Sequence, residues 1–76
     1  MRIPTRALSA HGWISQIFTS QAARGGGIVR RKISSVIEYA SIDLLRSEVT
    51  RRGFHMVESG EQFVIFCNPG DLKIVA

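Results

Sequence analysis

His11, His55 and Cys67 are the side chains of this chain best suited to nucleophilic, acid–base or metal chemistry, and Glu58 with Glu61 is its nearest carboxylate pair across a turn. None of these completes a working set. A closed zinc site takes four ligands, and two imidazoles with one thiol fall short. The strand register expected below puts His55 and Cys67 on opposite faces, so the imidazole does not activate the thiol. Cys67 then reads as a packed core thiol. Glu58 and Glu61 flank a turn, where like charges signal a solvated loop rather than a proton relay. No serine has the spacing of an activated Ser-His-Asp set. Gly25-Gly26-Gly27 lacks the further glycine and the Lys-Ser/Thr pair of a phosphate-binding loop. The residues therefore imply no catalytic group, no metal and no cofactor: the chain reads as a protein that binds rather than an enzyme.

The charges carry a clearer signal. Residues 1–37 hold Arg2, Arg6, Arg24, Arg30, Arg31 and Lys32 and no acid, whereas residues 38–76 hold four basic side chains against all six acids. A basic, acid-free segment on a mildly acidic remainder suits nucleic acid, an anionic membrane surface or an acidic protein. Arg24, Arg30, Arg31 and Lys32, joined by Arg46 and Arg51, are the candidate phosphate contacts. Aromatic residues do not interleave with the basic run, which argues against base stacking. The plain alternative is a solvated basic segment.

Size sets further bounds. The 76 residues make one domain near the lower limit for a self-sufficient core, and 45% hydrophobic against 21% charged residues argues for a folded chain. A single cysteine excludes an internal disulfide and suits a reducing, cytoplasmic setting. The longest apolar run, Phe63 to Cys67, is far short of the roughly 20 residues of a membrane span. No apolar stretch follows the first charges as in a secretory signal. Peripheral membrane contact is not the expected role of the first helix.

Residues 1–27 read as a basic amphipathic arm with a glycine linker, and residues 28–76 as one α+β domain. Residues 1–9 are expected to fray. From Ala10 to Ala23, Trp13, Ile14, Ile17, Phe18 and Ala22 recur at helical spacing, with Ser15, Gln16, Thr19, Ser20 and Ala23 opposite. Three glycines then act as a hinge. Ile28 to Ile33 alternates and suits a short edge strand, left open as such by its charge. Ser34 or Ser35 can cap a helical turn through Ala40. A bend at Ser41 starts a helix over Ile42–Arg52, with Ser41 as cap and Asp43 in the first turn. Ile42, Leu44, Leu45 and Val49 form its buried stripe, Glu48 pairs with Arg52, and Gly53 supplies a left-handed stop.

The remainder reads as a three-stranded antiparallel meander: Phe54–Glu58, Gln62–Asn68 and Leu72–Val75. A two-residue turn at Ser59-Gly60 pairs Met56 with Phe63, and Asn68-Pro69-Gly70-Asp71 pairs Ile65 with Ile74. One face collects Phe54, Met56, Phe63, Ile65, Cys67, Leu72 and Ile74. The reverse face carries His55, Val57, Gln62, Val64, Phe66, Lys73 and Val75, too apolar for free solvation. One helix covers one side only, so the N-terminal helix or a second copy of the chain must cover the other.

The layout Leu44-Leu45…Arg52-Gly53-Phe54…Gly60…Phe63-Val64-Ile65 resembles the helix and strands at the heart of HicA-type mRNA-interferase toxins, whose fold is like that of double-stranded-RNA-binding domains. The resemblance covers residues 42–75 and implies a similar fold. In that family a histidine after the first turn carries cleavage, whereas Glu61 and Gln62 follow Gly60 here, so the resemblance does not imply ribonuclease activity. Arg51-Arg52-Gly53-Phe54-His55 and Gln62-Phe63-Val64-Ile65-Phe66-Cys67-Asn68 also resemble small bacterial proteins of unassigned activity, implying a bacterial cytoplasmic source. The leading functional expectation is a non-enzymatic protein-interaction module that self-associates or binds a protein partner through Val57, Val64, Phe66 and Val75. The alternative is an RNA- or DNA-binding module using the basic N-terminal segment.

Overall fold

The computed structural model describes residues 9–76; the fraying expected for residues 1–9 falls almost wholly outside them. Helix α1 (Ala10–Thr19) is capped by Ser9, whose hydroxyl accepts from the Gly12 amide. The amphipathic segment does not run unbroken to Ala23. Ser20 is extended; its hydroxyl donates to the Ile17 carbonyl and accepts from the Ala23 amide, ending α1 and starting a single-turn α2 (Gln21–Arg24). That break turns Ala23 into the core and leaves Ala22 outside, the reverse of a continuous helix.

The three glycines form a helix stop rather than a slack hinge. Gly26 takes φ +76°, and the Gly26 and Gly27 amides donate to Ala23 and Ala22 in the paired pattern that closes a helix C-terminus. The Gly27 carbonyl then accepts from the Cys67 amide at 2.9 Å, so the segment leads straight into sheet pairing. Strand β1 (Ile28–Lys32) follows. Helix α3 (Ile33–Tyr39) begins directly after it, with Lys32 at its cap position and no side-chain cap, so neither Ser34 nor Ser35 serves as one.

At Ala40 the backbone departs from helix, and Ser41 caps α4 (Ile42–Arg51) through the Leu44 amide at 3.0 Å, as the sequence predicts. Leu45 and Val49 are buried, with Ile42 and Leu44 packed beside them. Gly53, at φ +73°, closes α4 with the same two-bond pattern as Gly26: its amide donates to Thr50, and that of Phe54 to Val49.

Strands β2 (His55–Ser59) and β3 (Gln62–Phe66) form a hairpin, and β1 pairs antiparallel with the other side of β3, giving the order β1-β3-β2. The fold is thus α+β, a three-stranded antiparallel sheet with an N-terminal helix, as expected, although several helices rather than one pack on the same face. The identity of the third strand differs. Leu72–Val75 forms no strand, because β1 already occupies the β3 edge it was expected to pair with. The Asn68 side chain bends the chain by accepting from the Gly70 amide, and the Gly70 carbonyl lies 2.6 Å from His55 Nε2, so the chain leaves toward β2. Leu72, Ile74 and Val75 are exposed in consequence.

The hairpin turn is Gly60-Glu61, with Gly60 at φ +62° in its first position, and Ser59 opposes Gln62. This moves the register two residues from the expected Ser59-Gly60 turn: Met56 pairs with Ile65 and Glu58 with Phe63. A two-residue shift preserves side-chain parity, so the assignment of hairpin residues to faces survives it.

One core holds the molecule together. Ile14, Ile17 and Phe18 of α1, Ala23, Val36, Leu45 and Val49 pack with Val29, Phe63, Ile65 and Cys67 of the sheet side. Trp13 stacks on Tyr39 at 5.7 Å, and Phe18 meets Phe54 at 6.1 Å. The four helices of the described residues thus lie on one side of the sheet. The N-terminal helix does not close the reverse face.

Candidate functional site

The register decides what shares that reverse face. Across the sheet, Ile28, Phe66 and His55 form one row; Arg30, Val64 and Val57 form the next; Lys32, Gln62 and Ser59 form the third. Among the described residues, none of these nine is a carboxylate, and no helix covers them. Val64 is buried at the centre without belonging to the helix-side core, between its register partners Arg30 and Val57. Phe66, Val57 and His55 are half-buried, Ile28 half-exposed, and Arg30 and Lys32 exposed.

Two sets of residues that the sequence kept apart meet here. Arg30 and Lys32, from the basic set, stand beside Val57, Val64 and Phe66, from the apolar set. Sequence reasoning found no aromatic interleaved with the basic run; in space, β1–β3 pairing sets Phe66 next to Ile28 and diagonal to Arg30. Sequence reasoning also missed Ile28 as a member of the face. The alternation of residues 28–32 carried that signal, but the neighbour of the strand was not legible.

The other candidates lie elsewhere. Arg31 points to the helix side by alternation, half-buried, and its Nη1 donates to the Arg30 carbonyl at 2.7 Å. Arg24 ends α2 and is exposed. Arg46 and Arg51 project from α4, in the helix layer across the sheet from Arg30 and Lys32, where they line a shallow 370 Å³ hollow with Ser47 and Thr50. Arg51 donates to Glu48 through Nε (3.2 Å) and Nη2, and Arg52 Nε donates to the same carboxylate at 2.6 Å. Hydrogen bonding to Arg51, then to Arg52, holds the Glu48 carboxyl below the usual range against partial desolvation, and the carboxylate raises Arg51 in turn. Arg52 also lies 4.4 Å over the Phe18 ring. Val75 stands in the exposed segment after Gly70, away from any strand.

Cys67 follows Phe66 and turns to the core, where burial pushes its thiol up; His55 stays on the reverse face. Among the described residues no group of three His, Cys, Asp or Glu converges on a point that could hold a metal ion. None of their helices is long and apolar enough to cross a membrane.

One hollow adjoins the face. Where β1 passes into α3, Lys32, Ile33, Ser34, Ile37, Gly60, Glu61 and Gln62 line a 540 Å³ depression. The Ile33 amide donates to the Glu61 carbonyl at 2.9 Å, fixing the hairpin turn against α3. Lys32 and Gln62 belong to both the hollow and the face. Comparison of the chain with protein-family models, curated proteins and solved structures gives no match.

Proposed function

We propose that the chain is a single-stranded nucleic-acid-binding module whose binding surface is the reverse face of the sheet. The observation that carries this reading is a face joining Arg30, Lys32, His55 and Phe66 around an apolar centre with no carboxylate among its nine residues. Phe66 offers a ring on which a base can stack, Val57 and Ile28 extend the apolar platform, and Arg30 and Lys32 meet phosphates along its β1 edge. A reducing cytoplasm, where such strands occur, also suits the single thiol.

A second reading, self-association or protein binding through the same face, is favoured by half-exposed Ile28. Two considerations rank it lower. Three five-residue strands span a flat footprint on the order of 250 Å², small for an interface that buries ~800 Å² of accessible surface per partner. In addition, a two-fold pair that laid β1 on its counterpart would bring Arg30 and Lys32 of both copies together with no acid on the face to meet them.

Fluorescence anisotropy with labelled single strands of RNA and DNA tests the reading, beside a solution mass. Binding is expected to weaken with salt with a log–log slope of about −0.7 for each phosphate met. Arg30→Gln with Lys32→Gln should reduce that slope, and Phe66→Ala should weaken binding by about 1–3 kcal/mol. Absence of binding at about 50 mM salt overturns the reading; a dimer alongside that absence moves support to self-association.

A further inference from the structure

We propose that the hollow between β1, the hairpin turn and α3 is a guanine subsite at the end of the strand-binding face; this rests on the nucleic-acid reading above. Its floor is Ile33 and Ile37, and Ile37 is 60% exposed although it is a large apolar side chain. A flat aromatic base laid on that floor removes it from water. Its rim is polar: Glu61, Ser34 and Gln62, with Lys32 at the side shared with the face.

The rim chemistry selects among bases. A carboxylate offers two acceptor oxygens side by side. Guanine alone presents two adjacent donors, N1–H and the N2 amino group, on its Watson–Crick edge. Adenine and cytosine each set a ring-nitrogen acceptor next to the amino group, where it would face a carboxylate oxygen lone pair to lone pair. Uracil offers a single N–H between two carbonyls. Ser34 and Gln62 can donate to guanine O6 and N7. Lys32 offsets the repulsion between the Glu61 carboxylate and the phosphate of the bound nucleotide.

The hollow is continuous with the face. Gln62 and Phe66 lie on the same side of β3, four residues apart, so about 13 Å separates the subsite from the stacking ring. The Ile33–Glu61 backbone hydrogen bond holds the main chain of the turn against α3 before any ligand arrives.

Anisotropy with the full chain compares a labelled oligouridine of about eight nucleotides with the same strand carrying one central guanosine, at about 50 mM salt. The guanosine strand is expected to bind about tenfold tighter, and Glu61→Gln to bring that ratio close to one while the amide spectrum stays folded. Equal binding of the two strands by the native chain overturns the guanine subsite and leaves the nucleic-acid reading standing. No binding of either strand overturns the reading beneath it. A preference that survives Glu61→Gln overturns the role of the carboxylate. The guanine ring is common to a strand and to a free nucleotide, so guanosine monophosphate is the third arm: weaker binding than the guanosine strand supports the assignment to a strand, and tighter binding overturns it.

Discussion

Glu48 shows how closely single residues of this chain are committed. It is the shared acceptor for Arg51 and Arg52, and Arg52 in turn covers Phe18 of α1. The sequence predicts the Glu48–Arg52 pair from spacing alone, but not the Phe18 contact, which depends on where α1 docks. Because the folded-state pKa of Glu48 is lowered, its contribution is present above the unfolded carboxylate range and is lost as pH falls through the folded value. Glu48→Gln should therefore cost about 0.5 kcal/mol near neutrality, with the difference from the native chain closing as pH falls below the carboxylate range. Urea titrations across that range would show it, and a penalty independent of pH would assign the effect to packing instead. Cys67 was equally legible as a core thiol, because alternation placed it whichever partner β3 took.

At the scale of elements, local chemistry sets the bounds wherever both ends of an element are marked in sequence. Ser41, Asp43 and Gly53 delimit α4, and the structure places its boundaries there within a residue. The error at Ser20 has a physical source: a serine at helical spacing satisfies the amphipathic pattern, yet its hydroxyl can end one helix and cap the next. The glycine triplet departs from the hinge expected of it for a related reason. Composition alone cannot distinguish slack chain from a left-handed stop, whereas Gly26 at φ +76° and the amides of Gly26 and Gly27 make the second case. Gly26→Ala should cost about 1–2 kcal/mol, read as a lower midpoint in urea, while Gly25→Ala, at negative φ, should cost clearly less. Equal costs would mean that the stop is not holding α2 to β1.

For the whole molecule, the packing of α1 against α4 and the sheet makes residues 10–24 part of the one core, since Ile14, Ile17 and Phe18 lie in it with Leu45 and Ile65. Removing residues 1–24 should abolish cooperative thermal unfolding, whereas removing residues 72–76 should change stability by less than about 0.5 kcal/mol. A cooperative transition in the first truncation, followed by circular dichroism, would overturn this account of the core. The amino-acid sequence by itself determined the fold class, the bounds of α4, the parity of the hairpin and the asymmetry of charge. These depend on periodicity, caps and turns, which act over a few residues. It also implied that an apolar sheet face was left over. Only the tertiary structure decided that β1 rather than Leu72–Val75 lines β3, that all the helices lie on one side, and that Arg30 and Lys32 therefore stand beside Phe66. Strand partnership is a choice between edges distant in sequence. Both partners offered a suitable alternating segment, so the choice fell to the chain geometry at Gly26–Gly27 and Asn68–Gly70, which no local pattern records.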